Sequence, residues 1–208
     1  MKIEDMPKLE SPFVRVINDK GDYVVTDKIA EGMDWVFNDE SVMCIEKLHG
    51  TNVSIIIQDG VIVAVYNRTE RIPFFNKGKA HIIQGLLESY KRGWMEDLLD
   101  GQHFGEILGP RINGNPYNLK ENLWIPFETF CQKHLRYKKW GAYPKDFNTI
   151  SNWFQNDLLP LYSLMINNGT KYCEGVVFTH PVTGQMAKLR RDMFSWWVGF
   201  RHKEKEAV

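Results

Sequence analysis

The sequence is poor in cysteine: Cys44, Cys131 and Cys173 are all that its 208 residues contain. An odd number with no metal-type spacing argues against a disulfide framework and against a structural zinc site. Charge of one sign is not in excess either, since 26 basic residues stand against 26 acidic ones. The overall balance therefore advertises neither a nucleic acid nor a membrane, and any anion-binding site has to be local. No segment approaches the roughly 20 apolar residues that span a bilayer. The opening MKIEDMPKLE carries acidic residues and no apolar run, unlike a targeting segment. Repeats and low-complexity tracts are missing as well. With 43% hydrophobic residues, the expectation is one soluble, unprocessed domain over residues 1–208, working in a reducing cytoplasm without a membrane partner.

What is present is a mixture of short strands and a few helical stretches. FVRVI at Phe13 and DYVV at Asp22 read as strands around NDKG, and TDKIAEGMDWVF reads as a short helix. TNVSIIIQ and VIVAVYNR flank Asp59-Gly60, and Asp-Gly between β-branched runs is a strong hairpin signal because both residues tolerate positive φ. Helices are expected over KAHIIQGLLESYKRGWMEDLL, broken near Gly93, and over TISNWFQNDLL, ended by Pro160. HFGEIL and LWIPFETF read as strands, as do EGVVFTH and QMAKLRR around PVTG. The class is α+β, antiparallel sheets with flanking helices.

Pairing rules carry these elements toward a site. An Asp59-Gly60 loop pairs Gln58 with Val61 and, followed outward, sets Asn52 against Asn67 and Thr51 near Arg68. In the last hairpin alternation puts Lys188 and Arg190 on one face and Leu189 on the other, and a turn centred on Val182 and Thr183 brings Glu174 near Arg190. Taken singly, each residue has a plainer reading. Lys47 is a solvated strand end, Glu106 faces water, Glu174 forms a cross-strand ion pair, Phe127 is a core aromatic and His49 bonds its local turn.

In order along the chain, EKLHGTN, Asn67-Arg68, FGEILGP, FETF, EGVVF and AKLRR resemble the successive motifs of the covalent nucleotidyltransferases, the ATP-dependent ligases and capping enzymes, a type unrelated to ATP-grasp proteins. Lys47-Leu48-His49-Gly50 with Thr51-Asn52 behind it is similar to the RNA ligase 2 family, in which His stands where other members carry Asp. The resemblance implies a nucleotidyltransferase (adenylyltransferase) domain and an ATP-dependent RNA ligase that joins 3′-OH and 5′-phosphate ends through lysyl-AMP and an adenylylated 5′ end. It makes Lys47 the nucleophile. Arg68 corresponds to the arginine on the nucleotide and acceptor phosphate, Glu106 to the carboxylate on the ribose, and Phe127 to the aromatic on adenine. Glu174 corresponds to the candidate metal ligand for Mg²⁺ or Mn²⁺, Lys188 to the first lysine of the last motif, and Glu46 to a residue bordering the adenine pocket. His49 and Asn52 correspond to residues that act after adenylylation.

The chemistry suits these residue types. A free lysine, with a pKa of roughly 10.4, is protonated and non-nucleophilic at neutral pH, so cations such as Lys188, Arg190 and a divalent ion are expected around the amine. The same cations would stabilise the phosphoryl oxygens as pyrophosphate leaves. The sequence departs from the pattern in having Lys188-Leu189-Arg190 where Lys-x-Lys is usual; arginine keeps the charge with a different shape and reach. The chain runs only a short way past Arg190, so a minimal catalytic domain is expected, without an oligonucleotide-binding-fold or helical C-terminal domain. It would act as a monomer or with an accessory protein on RNA, a nicked duplex first. KHLRYKKWGAYPK, Lys133 to Lys145, reads equally as a contact for phosphates and bases and as a solvated loop. A minimal DNA ligase, a capping enzyme using GTP, and a protein that binds nucleotide or RNA ends without sealing them stay open as alternatives.

Overall fold

A computed structural model describes residues 2–142 and 144–199. It has ten strands: β1 (Phe13–Ile17), β2 (Tyr23–Ile29), β3 (Met43–Lys47), β4 (Thr51–Gln58), β5 (Val61–Asn67), β6 (Glu70–Arg71), β7 (Gly101–Leu108), β8 (Leu123–Pro126), β9 (Gly175–Thr179) and β10 (Met186–Arg190). The α-helices are α1 (Trp35–Asn38), α2 (Ala80–Lys91), α3 (Gln132–His134), α4 (Phe147–Asn152) and α5 (Leu161–Met165). All strand pairs are antiparallel, in sheets of order β1-β2, β10-β9-β3 and β6-β5-β4-β7-β8. The class is α+β, as the sequence implies.

The chain divides into two compact units. The first comprises residues 1–8, 48–136 and 161–171, and the second 9–47, 137–160 and 172–208. The first is built on the five-stranded sheet. One face carries Val53, Ile55, Ile107 and Trp124 into a core shared with Ile82 and Leu86 of α2, as the alternation of side chains along β4 from Val53 to Ile57 requires. Their alternates, Asn52 and Glu106, share the other face.

In the second unit the three-stranded sheet does the same. Cys44, Val176, Phe178, Ala187 and Leu189 face a core that includes Phe154, Leu158 and Phe194. Lys47, Gly175, Lys188 and Arg190 take the opposite face.

Four local expectations need correction, the first being the helix expected beyond Gly93: α2 ends at Lys91 and turns follow it. Thr26 to Ile29 stay in β2, paired to β1, and only Trp35–Asn38 is helical; the chain turns at Gly32, φ +75°, before the helix starts. FETF is not strand. After Pro126, which ends an edge strand, Phe127–Cys131 winds into a π-helical turn. The Asp59-Gly60 hairpin has the expected turn, with φ +53° and +72°, but a bulge between Ile56 and Ile57 shifts the register, so Ser54 faces Tyr66. The uninterrupted register would have set it against Val65. Asn52 is thereby aligned past Asn67, toward Arg68.

Candidate functional site

The second unit places Lys47 at the end of β3. Both Lys47 and Arg190 stand opposite Gly175, one from each neighbouring strand. Gly175 is required there, because a Cβ would meet the Leu189 carbonyl oxygen at 2.2 Å and the Arg190 Cα at 2.7 Å. Cross-strand partners point to one face, so the two cations flank a bare backbone position. Glu174, the residue before it, reaches between them: its Oε2 lies 2.8 Å from Lys47 Nζ and its Oε1 3.9 Å from Arg190 Nη1. Asp192 holds Arg190 Nη2 at 3.1 Å.

The pairing differs from an all-cationic setting for Lys47, since its 2.8 Å partner is a carboxylate. An ammonium cannot attack, so this ion pair has to open before the amine can act. The side chains are 25% and 15% exposed, deep enough for the pair to hold and open enough for a ligand to exchange it. Lys188 joins the same face two residues from Arg190, opposite Val177, while Leu189 is fully buried; the expected facing of this hairpin is observed. Glu46 lies on the other face, buried beside the core. Its charge acts on Tyr137 and Cys173, whose hydroxyl and thiol are both pushed up, chiefly by burial.

The long segment of the first unit begins at Leu48 and fixes the turn that follows the lysine. Side chains hold the backbone of this turn: His49 N–H donates to Tyr117 Oη at 3.0 Å, Gly50 N–H to Glu106 Oε1 at 3.1 Å, and Asn113 Nδ2 donates to Gly50 O at 2.6 Å. A Cβ on Gly50 would meet Ile107 O at 2.3 Å and Glu106 Cγ at 2.6 Å, so the close approach of the turn to β7 demands glycine. Asn52, Glu106 and Ile125 form one cross-strand row, and Phe127, half-buried, opens the helical turn two residues beyond Ile125. Asn52 and Glu106 are thus neighbours, with Phe127 just past the end of the adjoining strand. Arg68, toward which the register aligns Asn52, sits at a turn with φ +54°, its side chain 71% exposed and paired with Asp5 at 3.4 Å.

Sequence reasoning missed Tyr117 and Asn113. The signal was there in GPRINGNPYNLK, where Asn113, Asn115 and Asn118 all adopt positive φ, as asparagine tolerates. The stretch from Lys133 to Lys145 needs correction. Tyr137 donates to the Leu159 carbonyl at 2.6 Å, and the Trp140 ring lies 4.8 Å from Phe178. These aromatics pack in the second unit, which removes them as base-stacking platforms and leaves Lys133, Arg136, Lys138 and Lys139 as exposed charge. Tyr143 lies outside the described residues.

Among the described residues no group of three or more His, Cys, Asp or Glu side chains could hold a metal by itself. A single carboxylate between cations suits a hard ion that arrives with a polyphosphate, which supplies the other oxygens. Asn52 Oδ1 and Arg190 Nε are among the buried polar atoms that find no hydrogen-bond partner in the described residues; the latter is a donor suited to an anionic oxygen. No helix among the described residues is long and apolar enough to cross a membrane.

Comparison with known proteins agrees with this geometry. The chain is similar in structure to a Naegleria gruberi RNA ligase with PPi, at a TM-score of 0.50 and 17% identity over 83% of this chain and 55% of that one. It is likewise similar to a mutant of Naegleria gruberi RNA ligase with ATP and Mn, at a TM-score of 0.51 and 15% identity over 95% of this chain and 62% of that one. The chain therefore spans under two thirds of the length of these ligases, and the likeness is one of fold, that of a nucleotidyltransferase-type domain. No curated protein matches the sequence. The sequence profile described as RNA ligase matches residues 40–191, from just before β3 to just after β10, and the chain belongs to the RNA ligase family.

Proposed function

We propose that this protein is an ATP-dependent RNA ligase that joins 3′-OH and 5′-phosphate RNA ends through lysyl-AMP. The observation that carries the reading is the row in which Lys47 and Arg190 flank Gly175, with Glu174 between the cations and Lys188 on the same face. Lys47 Nζ, freed from Glu174 and having given its ammonium proton to solvent, attacks the α-phosphorus of ATP as the neutral amine. A P–N bond forms as the bond from the α-phosphorus to the pyrophosphate oxygen breaks, and pyrophosphate leaves with that electron pair. Lys188 and Arg190 compensate the charge that develops on the phosphoryl oxygens. Glu174 would hold Mg²⁺ or Mn²⁺, which supplies further positive charge to the triphosphate when bound. The 5′-phosphate of the RNA then takes AMP from Lys47, and the 3′-OH displaces AMP to close the strand.

The residues of the first unit bind and orient. Glu106 accepts from the ribose and from Gly50 N–H together, Phe127 stacks on adenine, Asn52 and His49 handle the strand end, and Arg68 contacts phosphate after releasing Asp5. Glu46, on the core side of β3, acts from behind the adenine pocket through the strand that carries Lys47. Because the chain passes between the two units five times, we read residues 1–208 as one catalytic domain, working as a monomer or with an accessory protein in the cytoplasm. Use of ATP and a divalent metal is supported by the Naegleria gruberi ligase with ATP and Mn.

The test is sealing of a nicked duplex with ATP and Mg²⁺, comparing RNA with DNA on the 3′-OH side, where the 2′-OH is the physical difference. Faster sealing with RNA is expected. Equal or faster sealing of the all-DNA nick would reassign the protein as a DNA ligase, and labelling by GTP in preference to ATP would reassign it as a capping-type enzyme.

A further inference from the structure

Arg191 follows the last motif residue and is 3% exposed. Its Nε donates to the Cys173 carbonyl at 2.8 Å, its Nη2 to the Leu158 carbonyl at 3.0 Å, and its Nη1 to the Phe154 carbonyl. The ring faces of Tyr172 and Trp197 lie 5.6 and 5.9 Å from its guanidinium carbon. Its own backbone N–H donates to the Glu174 carbonyl at 2.9 Å. Arg191 therefore grips both carbonyls of the Cys173–Glu174 pair, one by side chain and one by main chain. Tyr137 Oη adds a bond to Cys173 Sγ at 3.3 Å, and that thiol reaches the Gly175 carbonyl at 2.8 Å. Alternation sends Arg190 to the charged face and Arg191, beyond the strand end, into the core.

A buried guanidinium is retained at a desolvation cost, and its worth here lies in rigid, multidentate geometry that lysine cannot copy. We infer that Arg191 is a positioning residue: it fixes the Cys173–Glu174 corner, and so holds the Glu174 carboxylate in the place where it meets Lys47. The geometry goes beyond packing because the corner it braces carries a carboxylate that meets both Lys47 and Arg190. The inference rests on the reading of Lys47 as the reacting amine for its meaning in catalysis, but the bracing itself can be tested without nucleotide.

The experiment measures acetylation of Lys47 by a small amine-reactive ester in the nucleotide-free full chain, quantified by peptide mass spectrometry. It uses wild type, Arg191→Lys, Glu174→Gln and the double variant, each below its melting transition. Opening the Lys47–Glu174 pair exposes the amine. Arg191→Lys and Glu174→Gln should each raise the labelling rate by about threefold or more, and the double variant should add nothing further, the signature of one shared pathway. Leu189→Ala, a core change two residues before Arg191, serves as the destabilised control and should leave Lys47 labelling unchanged. Arg191→Lys that melts lower yet labels as wild type would overturn the inference, leaving Arg191 a packing residue; so would additive effects in the double variant. The same four proteins are then assayed for adduct formation with ATP. If wild type forms no adduct while the labelling cycle behaves as expected, the ligase reading fails and the positioning role stands.

Discussion

The two units use their polar side chains in opposite ways. In the second, site residues pair with each other: Lys47 with Glu174, Glu174 with Arg190, Arg190 with Asp192. In the first, Glu106, Tyr117 and Asn113 spend theirs on the backbone of the His49–Gly50 turn. Side chains paired as ions can exchange a partner for a ligand at little conformational cost, whereas side chains that hold a half-buried turn leave it only by giving up hydrogen bonds to its backbone. The Lys47 row is thus arranged for exchange and the His49–Gly50 turn for rigidity. Substitutions should separate accordingly, into losses of rate and losses of stability.

The largest effect is expected at Lys188→Ala. It should lower the rate of lysyl-AMP formation by about 100-fold or more while changing the melting temperature little, because Lys188 faces away from the core; rapid-quench labelling beside calorimetry checks both. Leu189→Ala should show the reverse, a loss of about 2–5 kcal/mol in denaturant unfolding with near-normal rate per folded molecule. Matching patterns for the two would break the contrast. His49→Ala comes next. The His49 backbone, not its ring, makes the bond to Tyr117, so adduct formation should survive while sealing of a pre-adenylylated nick falls about tenfold or more.

A smaller change sharpens the rigid side of the comparison. Tyr117→Phe leaves the His49 N–H without its acceptor and should cost about 1–3 kcal/mol in denaturant unfolding. The least effect concerns pH. Backbone N–H groups of Gly60 and Asp59 hold the Asp100 carboxyl below its usual range. A carboxyl depressed on folding contributes stability above its unfolded pKa and loses it as the pH falls through the folded value. Asp100→Asn should therefore narrow, slightly, the gap in melting temperature between neutral and acidic buffer.

The two hairpins show what a sequence discloses and what it withholds. Asp59-Gly60 was the stronger turn signal, and the turn formed, yet the bulge after Ile57 displaced the register beyond it. The weaker PVTG turn kept register through Arg190 opposite Gly175, so the facing of Lys188, Leu189 and Arg190 was legible. A bulge inserts one residue wherever local twist favours it, and alternation alone does not mark that point. Motif order pointed to Lys47, Glu174, Glu106 and Phe127, but not to their partners. Glu174 on Lys47, Tyr117 under His49 and Arg191 behind Glu174 are contacts between residues distant in sequence, set by packing rather than by local pattern. Glu46 adjoins Lys47 in sequence, yet alternation turns it to the other face.

The account stands on Lys47 as the nucleophile, and the most direct measurement is the position of a covalent adduct. The full chain is incubated with ATP and Mg²⁺ or Mn²⁺, digested, and sequenced by mass spectrometry under conditions that preserve a P–N bond. AMP on Lys47, acid-labile and absent from Lys47→Ala, is the expected result. An adduct on another residue, or undiminished labelling of folded Lys47→Ala protein, would contradict it.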